Sequence, residues 1–363
     1  MSIWQNANQQ LRELEVYEPG KPIEDVAREL GLEPTQIIKL ASNENPLGPS
    51  PKALEAMRET IERSNLYPDG GAFYLREAIA TKFGLKRSNV ILGNGSSEVI
   101  EFIGHAFLRP GDEILTARHA FVIYKITALL FGASTVEVPD PGFAHDLDAM
   151  AAAITPRTRI IFVTNPNNPT GTVVSNEQVE EFIQKVPSDV VVVFDEAYFE
   201  FLKIPTDSLK FIKEGRDNVI VLRTFSKIQG LANLRIGYGL ATEEMIAILQ
   251  KTRQPFNVNG IAQAGALAGL LDLEHQEKTR ALTWSGLEYL QGEFAAMNLE
   301  FVPSHANFVL VKVGDGNAVF KKLLEQGVII RAMAAYQLPE WIRVTVGTQE
   351  QNERFISELK KLL

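Results

Sequence analysis

The sequence predicts an α/β protein: a large domain with a mostly parallel central sheet covered by helices, followed by a smaller α+β domain. Three observations carry this. Short apolar runs alternate with helical patterns through the middle of the chain, and the alternation stops near Gln254-Pro255. The length, 363 residues, exceeds what one hydrophobic core usually serves, and 45% of the residues are hydrophobic, enough for two cores.

The strands are expected at Val90-Leu92, Glu113-Leu115, Arg159-Thr164, Val190-Phe194 and Val219-Leu222. Val190-Val191-Val192-Val193-Phe194 is apolar at every position, as a strand covered on both faces must be. Helical patterns run from Glu98 to Leu108, Leu147 to Ile154 and Gln178 to Lys185, so each sits between two strands. Beyond residue 255, a long helical stretch (Ile261 to Leu290) precedes strands at Phe308-Val313, Val328-Ile330 and Ile342-Thr345. The expected division is therefore 1–45, an arm lying on the small domain or a partner subunit; 46–255, the large domain; and 256–363, the small domain.

Composition narrows the function. A net charge of −9 argues against nucleic acid, which needs a basic face, but not against a small anion. Without cysteine there is no disulfide, thiolate metal site or cysteine nucleophile, and the five histidines are scattered, so no metal is expected. The first residues lack a basic-then-apolar leader pattern, and no run approaches the roughly 20 apolar residues of a membrane span. The expectation is a cytoplasmic protein with no membrane partner.

Four segments carry chemistry. Lys227 follows Thr224-Phe225-Ser226, eight residues before Arg235, on a turn between two apolar runs. Asp195 ends the Val190-Phe194 strand, thirty-two residues before Lys227. A carboxylate delivered there is desolvated unless a cation meets it. Asn94-Gly95-Ser96-Ser97 joins a strand to a helix, whose first N–H groups favour a phosphate, with the Ser96 and Ser97 hydroxyls as added donors; taken alone, it also suits an ordinary serine-capped turn. Asn165-Pro166-Asn167-Asn168-Pro169-Thr170-Gly171 lies where a strand ends, the edge at which open α/β sheets bind ligands. This set suits pyridoxal 5′-phosphate: Lys227 for a Schiff base, Arg235 and the serines for the phosphate, Asp195 for the pyridine nitrogen, and Asn168 and Tyr198 for the ring oxygen.

These runs, with Ser42-Asn43-Glu44-Asn45-Pro46-Leu47-Gly48 and Ile342-Arg343-Val344-Thr345-Val346-Gly347-Thr348, resemble the fold-type I pyridoxal-phosphate aminotransferases and, within them, the histidinol-phosphate aminotransferase family. The likeness runs from about Tyr17 to the C-terminus. It implies that Lys227 and Asp195 are catalytic and that Thr224 and Ser226 join Ser96, Ser97 and Arg235 around the phosphate. It places Tyr124 beside the cofactor ring and Tyr67 at the neighbouring subunit's cofactor in a homodimer. Arg343 takes the substrate carboxylate, with Asn168 also at the substrate, and Tyr17 and Arg331 take a distal phosphate or second carboxylate. The chain departs from the family pattern at Gln229, Asn233, Ala332, Ala335 and Gln337; the side chains of Gln229, Asn233 and Gln337 are expected to add polar bulk near the substrate.

The resemblance implies transfer of an amino group between glutamate/2-oxoglutarate and histidinol phosphate, as in histidine biosynthesis. An aminotransferase for aromatic or other amino acids, or a pyridoxal-phosphate lyase or decarboxylase on the same fold, uses the same lysine. Two arginines, Arg331 and Arg343, favour transamination, since glutamate carries two carboxylates.

Overall fold

The computed structural model describes residues 3–12, 14 and 20–363. Thirteen strands are present among them. In chain order they are β1 (Ile38–Lys39), β2 (Val90–Gly93), β3 (Glu113–Ala117), β4 (Ser134–Val138), β5 (Thr158–Thr164), β6 (Val191–Asp195) and β7 (Val219–Thr224). They continue with β8 (Gly237–Leu240), β9 (Phe301–Val302), β10 (Phe308–Lys312), β11 (Val328–Ile329), β12 (Arg331–Ala332) and β13 (Trp341–Thr345).

Seven strands form the large sheet in the order β2-β8-β7-β6-β5-β3-β4. The ladders from β7 through β6, β5 and β3 to β4 are parallel. Only β8 runs against its neighbours, because the chain returns directly from β7 without a crossover helix.

Successive residues of a strand face opposite sides, and β6 uses this on both. Val192 and Phe194 join the core that includes Phe182, Ile183 and Val221. Val191 and Val193 join the core of Phe162, Ile103 and Tyr124 on the other side. By the same parity, Asp195 faces Tyr124 and Glu196 faces away, where it pairs with the buried Arg223 at 2.7 Å.

The second sheet is antiparallel, ordered β12-β13-β10-β9, and packs on the helices Leu273–Ala296 and Gln349–Leu362 through Leu290, Phe294, Phe355 and Ile356. Strand β1 pairs in parallel with β11, which ties the N-terminal segment to this smaller unit. The helix Gly260–Leu271, which follows residue 255, buries Ala262, Ala266 and Leu270 in the core of the large sheet instead. Among the described residues no helix is long and apolar enough to cross a membrane, and no cluster of His, Asp and Glu suits a metal.

Candidate active site

A cavity of about 430 Å³ opens where β5, β6 and β7 end and the smaller sheet faces the large one. Asp195, Thr224, Ser226, Lys227, Arg235, Ser96, Ser97, Asn168, Tyr198, Arg331 and Arg343 all line it. Residues separated by up to 247 positions of sequence are thereby brought to one cavity.

Lys227 lies in the loop between β7 and β8. Its Nζ approaches the Ser42 carbonyl at 3.4 Å and sits 5.6 Å from the Tyr198 ring centroid. Burial, reinforced by the Arg343 charge, pushes the amine down to about 8, while Glu44 acts in the opposite direction. An amine so poised is readily unprotonated, the form that attacks an aldehyde or removes a proton.

Asp195 is 3% exposed. Its Oδ2 accepts from the Tyr124 hydroxyl at 2.7 Å and its Oδ1 from the Ala197 N–H at 3.2 Å. Burial pushes the carboxyl up to about 6, against the pull of those two donors. The carboxylate is incompletely compensated, which fits a cation placed beside it.

At the start of the helix Ser96–Phe107, close backbone approach builds a cradle fit for an anion. Gly95 caps the helix Ser96–Phe107 with φ +76°, and a Cβ there would lie 2.6 Å from a guanidinium nitrogen of Arg235. Gly237 of β8 passes so close that its Cβ would meet the Ser96 nitrogen at 2.3 Å. Thr224 Oγ1 accepts from the Ser226 N–H at 3.1 Å and completes the rim. Unpaired helix N–H groups, hydroxyls and an arginine suit a phosphate dianion.

On the facing wall, Arg343 of β13 donates from Nη1 to Asn168 Oδ1 at 2.5 Å and from Nη2 to the Ala41 carbonyl at 2.9 Å. These two bonds fix the orientation of the guanidinium. Arg331 of β12 is its register partner.

Several expectations need correction. Tyr124 does not border the cavity: its ring is buried, stacked on Phe162 at 4.1 Å, and its hydroxyl points at Asp195. Phe121, three residues earlier, lines the cavity in its place. Gln229 is 2% exposed, lies against Gly269 and does not line the cavity; Gln337 does not line it either, occupying a left-handed turn at φ +61°. Asn233 does line it. Tyr67 is 83% exposed and stacks on Phe256, outside the cavity of its own chain. Tyr17 lies outside the described residues.

Sequence reasoning assigned no role to Asn43, which the structure puts at the centre of the site. Its Nδ2 donates to the Tyr198 hydroxyl at 2.8 Å and its N–H to Thr345 Oγ1 at 2.9 Å, joining the turn after β6 to β13 through one buried residue. The backbone is left-handed at φ 55°, a conformation asparagine tolerates.

The fold and the lysine-centred site define a pyridoxal-phosphate enzyme of fold type I. Residues 35–359 match the family described as aminotransferase class I and II. The chain is 54% identical to the histidinol-phosphate aminotransferase of Akkermansia muciniphila over 100% of both chains. It is 49% identical to that of Moorella thermoacetica over 96% of this chain and 90% of the relative. Among solved structures, the histidinol-phosphate aminotransferase of Sinorhizobium meliloti in complex with pyridoxal-5′-phosphate superposes with a TM-score of 0.88 at 26% identity, covering 98% of each chain. The chain belongs to the class I and II aminotransferases and, within them, to the histidinol-phosphate aminotransferase family.

Proposed function

We propose that the protein transfers an amino group from histidinol phosphate to 2-oxoglutarate, and from glutamate in the reverse sense, as a homodimer. The observation that carries this reading is the joint placement of Lys227, Asp195, Arg331 and Arg343 on one cavity: a base, a carboxylate for a cationic ring and two anion receptors.

Pyridoxal phosphate, when bound, supplies the electron sink that lets a Cα–H bond of the substrate break as a proton. Arg235, Ser96, Ser97, Thr224 and Ser226 would hold its phosphate, Asp195 its ring nitrogen, and Asn168 and Tyr198 its ring oxygen. Lys227 Nζ takes the Cα proton, a task matched by an amine lowered to about 8. Arg343, fixed by Asn168, receives the α-carboxylate of glutamate. Arg331 receives the second anion, the γ-carboxylate of glutamate or the phosphate of histidinol phosphate. A single cavity thus serves two substrates through shared anion contacts. Tyr67, exposed and outside its own cavity, is available to a second copy of the chain.

Single-turnover conversion of the loaded cofactor to its amine form tests this directly. Fast conversion with both glutamate and histidinol phosphate is expected; reaction with glutamate alone would leave an aminotransferase of different substrate.

A further inference from the structure

Tyr124 holds a position that cofactor contact does not explain. It is fully buried and absent from the cavity wall, so nothing bound there touches its ring. Its hydroxyl nevertheless meets two polar groups of the site: Asp195 Oδ2 at 2.7 Å and Thr164 Oγ1 at 2.9 Å. An ionised Asp195 only accepts, so the tyrosine proton goes to the carboxylate and the Thr164 hydroxyl donates back to the phenolic oxygen. The threonine is itself fixed: its backbone N–H donates to His145 Nε2 at 3.2 Å, and His145 is buried and held neutral, its imidazole lowered to about 4 by burial. The result is a directed chain from the Thr164 hydroxyl at the end of β5, through Tyr124, to the carboxylate at the end of β6.

We propose that Tyr124 is a positioning residue for Asp195, whose hydroxyl, oriented by Thr164, keeps that carboxylate ionised and aimed at the ring nitrogen of the cofactor. This rests on the reading of Asp195 as the ring-nitrogen partner. The groups acting on Asp195 divide clearly. Burial and Glu196 favour its neutral form; the Tyr124 hydroxyl, the Ala197 N–H and Lys227 favour the charged one, with Tyr124 first among these. Inside a low-dielectric wall, one donated hydrogen bond to a carboxylate counts for more than it would in water. The phenyl ring has a separate task, stacking on Phe162 at 4.1 Å and 7°, so removing only the hydroxyl leaves the packing in place.

Tyr124→Phe is the test, with Asp195→Asn as the reference. The infrared carbonyl band of a protonated carboxyl, titrated in the cofactor-free protein and identified by its loss in Asp195→Asn, reports the aspartate directly. Its midpoint should rise by about one pH unit in Tyr124→Phe, and by less, in the same direction, in Thr164→Val. In the loaded enzyme, kcat for the glutamate half-reaction should fall about 10- to 100-fold with KM within about twofold, because the substrate contacts are untouched. An unchanged midpoint in Tyr124→Phe, or in Thr164→Val should the first variant not fold, overturns the proposal. So does a loss of KM and kcat together. Near-normal turnover in Asp195→Asn would instead remove the underlying role of the aspartate, while the titration would still judge the tyrosine.

Discussion

Arg331 and Arg343 stand directly opposite each other across the antiparallel ladder of β12 and β13, and both reach the same cavity. Like charges at facing positions of a sheet cost stability until an anion lies between them. Arg331→Gln is therefore expected to weaken both half-reactions by about 2–5 kcal/mol, the scale of removing one partner of a buried charge contact. Single-turnover rates with glutamate and with histidinol phosphate measure the loss in each half-reaction.

Lys227→Ala should keep the fold and bind cofactor through the cradle of Ser96, Ser97 and Arg235, yet show no turnover, because among the described residues no other lysine lines the cavity to take the Cα proton. Borohydride reduction of the loaded wild type, followed by peptide mass analysis, should find the pyridoxyl group on Lys227 and on no other lysine.

Asp195→Asn is expected to exchange activity for stability. The native carboxyl is pushed up from 3.8 to about 6, so the folded protein binds more protons than the unfolded chain between those values and its stability falls as pH rises through that window. At pH 7 the carboxylate is thus a net cost. Replacing it with a neutral amide should raise the stability of the cofactor-free protein by about 1–3 kcal/mol at pH 7, an advantage that shrinks towards pH 4. Turnover should drop by several orders of magnitude, on the scale of losing the main electrostatic support of a transition state.

Gly95→Ala combines an unfavourable left-handed φ of +76° with a Cβ 2.6 Å from the Arg235 guanidinium. Cofactor affinity, measured by equilibrium dialysis, should weaken by about tenfold or more as that arginine is displaced. Gly292→Ala is the control: it lies in the helix Leu273–Ala296, its Cβ meets nothing within 4 Å, and it should stabilise by about 0.5–1 kcal/mol.

Mixing Tyr67→Ala with Lys227→Ala protein should restore activity, since a hybrid dimer joins an intact Lys227 to an intact Tyr67 at one of its two sites. Statistical exchange sets the recovery at about a quarter of wild type. No recovery after subunit exchange, with hybrids verified by mass, would place Tyr67 outside the partner's site.

The chain discloses its large sheet readily because buried parallel strands are written as unbroken apolar runs, Val190-Phe194 above all. The same bias hides the rest. Strand β4 is an edge, and its half-exposed Ser134–Val138 carries no such run; β1, β9 and β12 have two residues each, too few for any period. Lys227 and Asp195 were legible because each is a charge set among apolar neighbours. Phe121 and Tyr124 were not separable, since residues three apart near a helix start share a face, and only the packing of Phe162 decides which ring turns inward. Asn43 was hidden for another reason: its partners Tyr198 and Thr345 are 155 and 302 residues away.

Strand β8 is the one member of the large sheet that runs backwards, and this has a consequence for how the family's chains can vary. Because β7 returns at once through residues 225–236, Lys227 and Arg235 ride on a single short loop pinned at both ends by the Thr224–Gly237 pairing. The connections between the parallel strands are longer and carry helices, so an added residue there need not move a strand. Here one added residue would slide Lys227 against Arg235 by roughly 3.3 Å, most of the length of a backbone step. The interval between the two is thus a ruler cut to the size of one molecule, and length variation in the chain should accumulate anywhere but there.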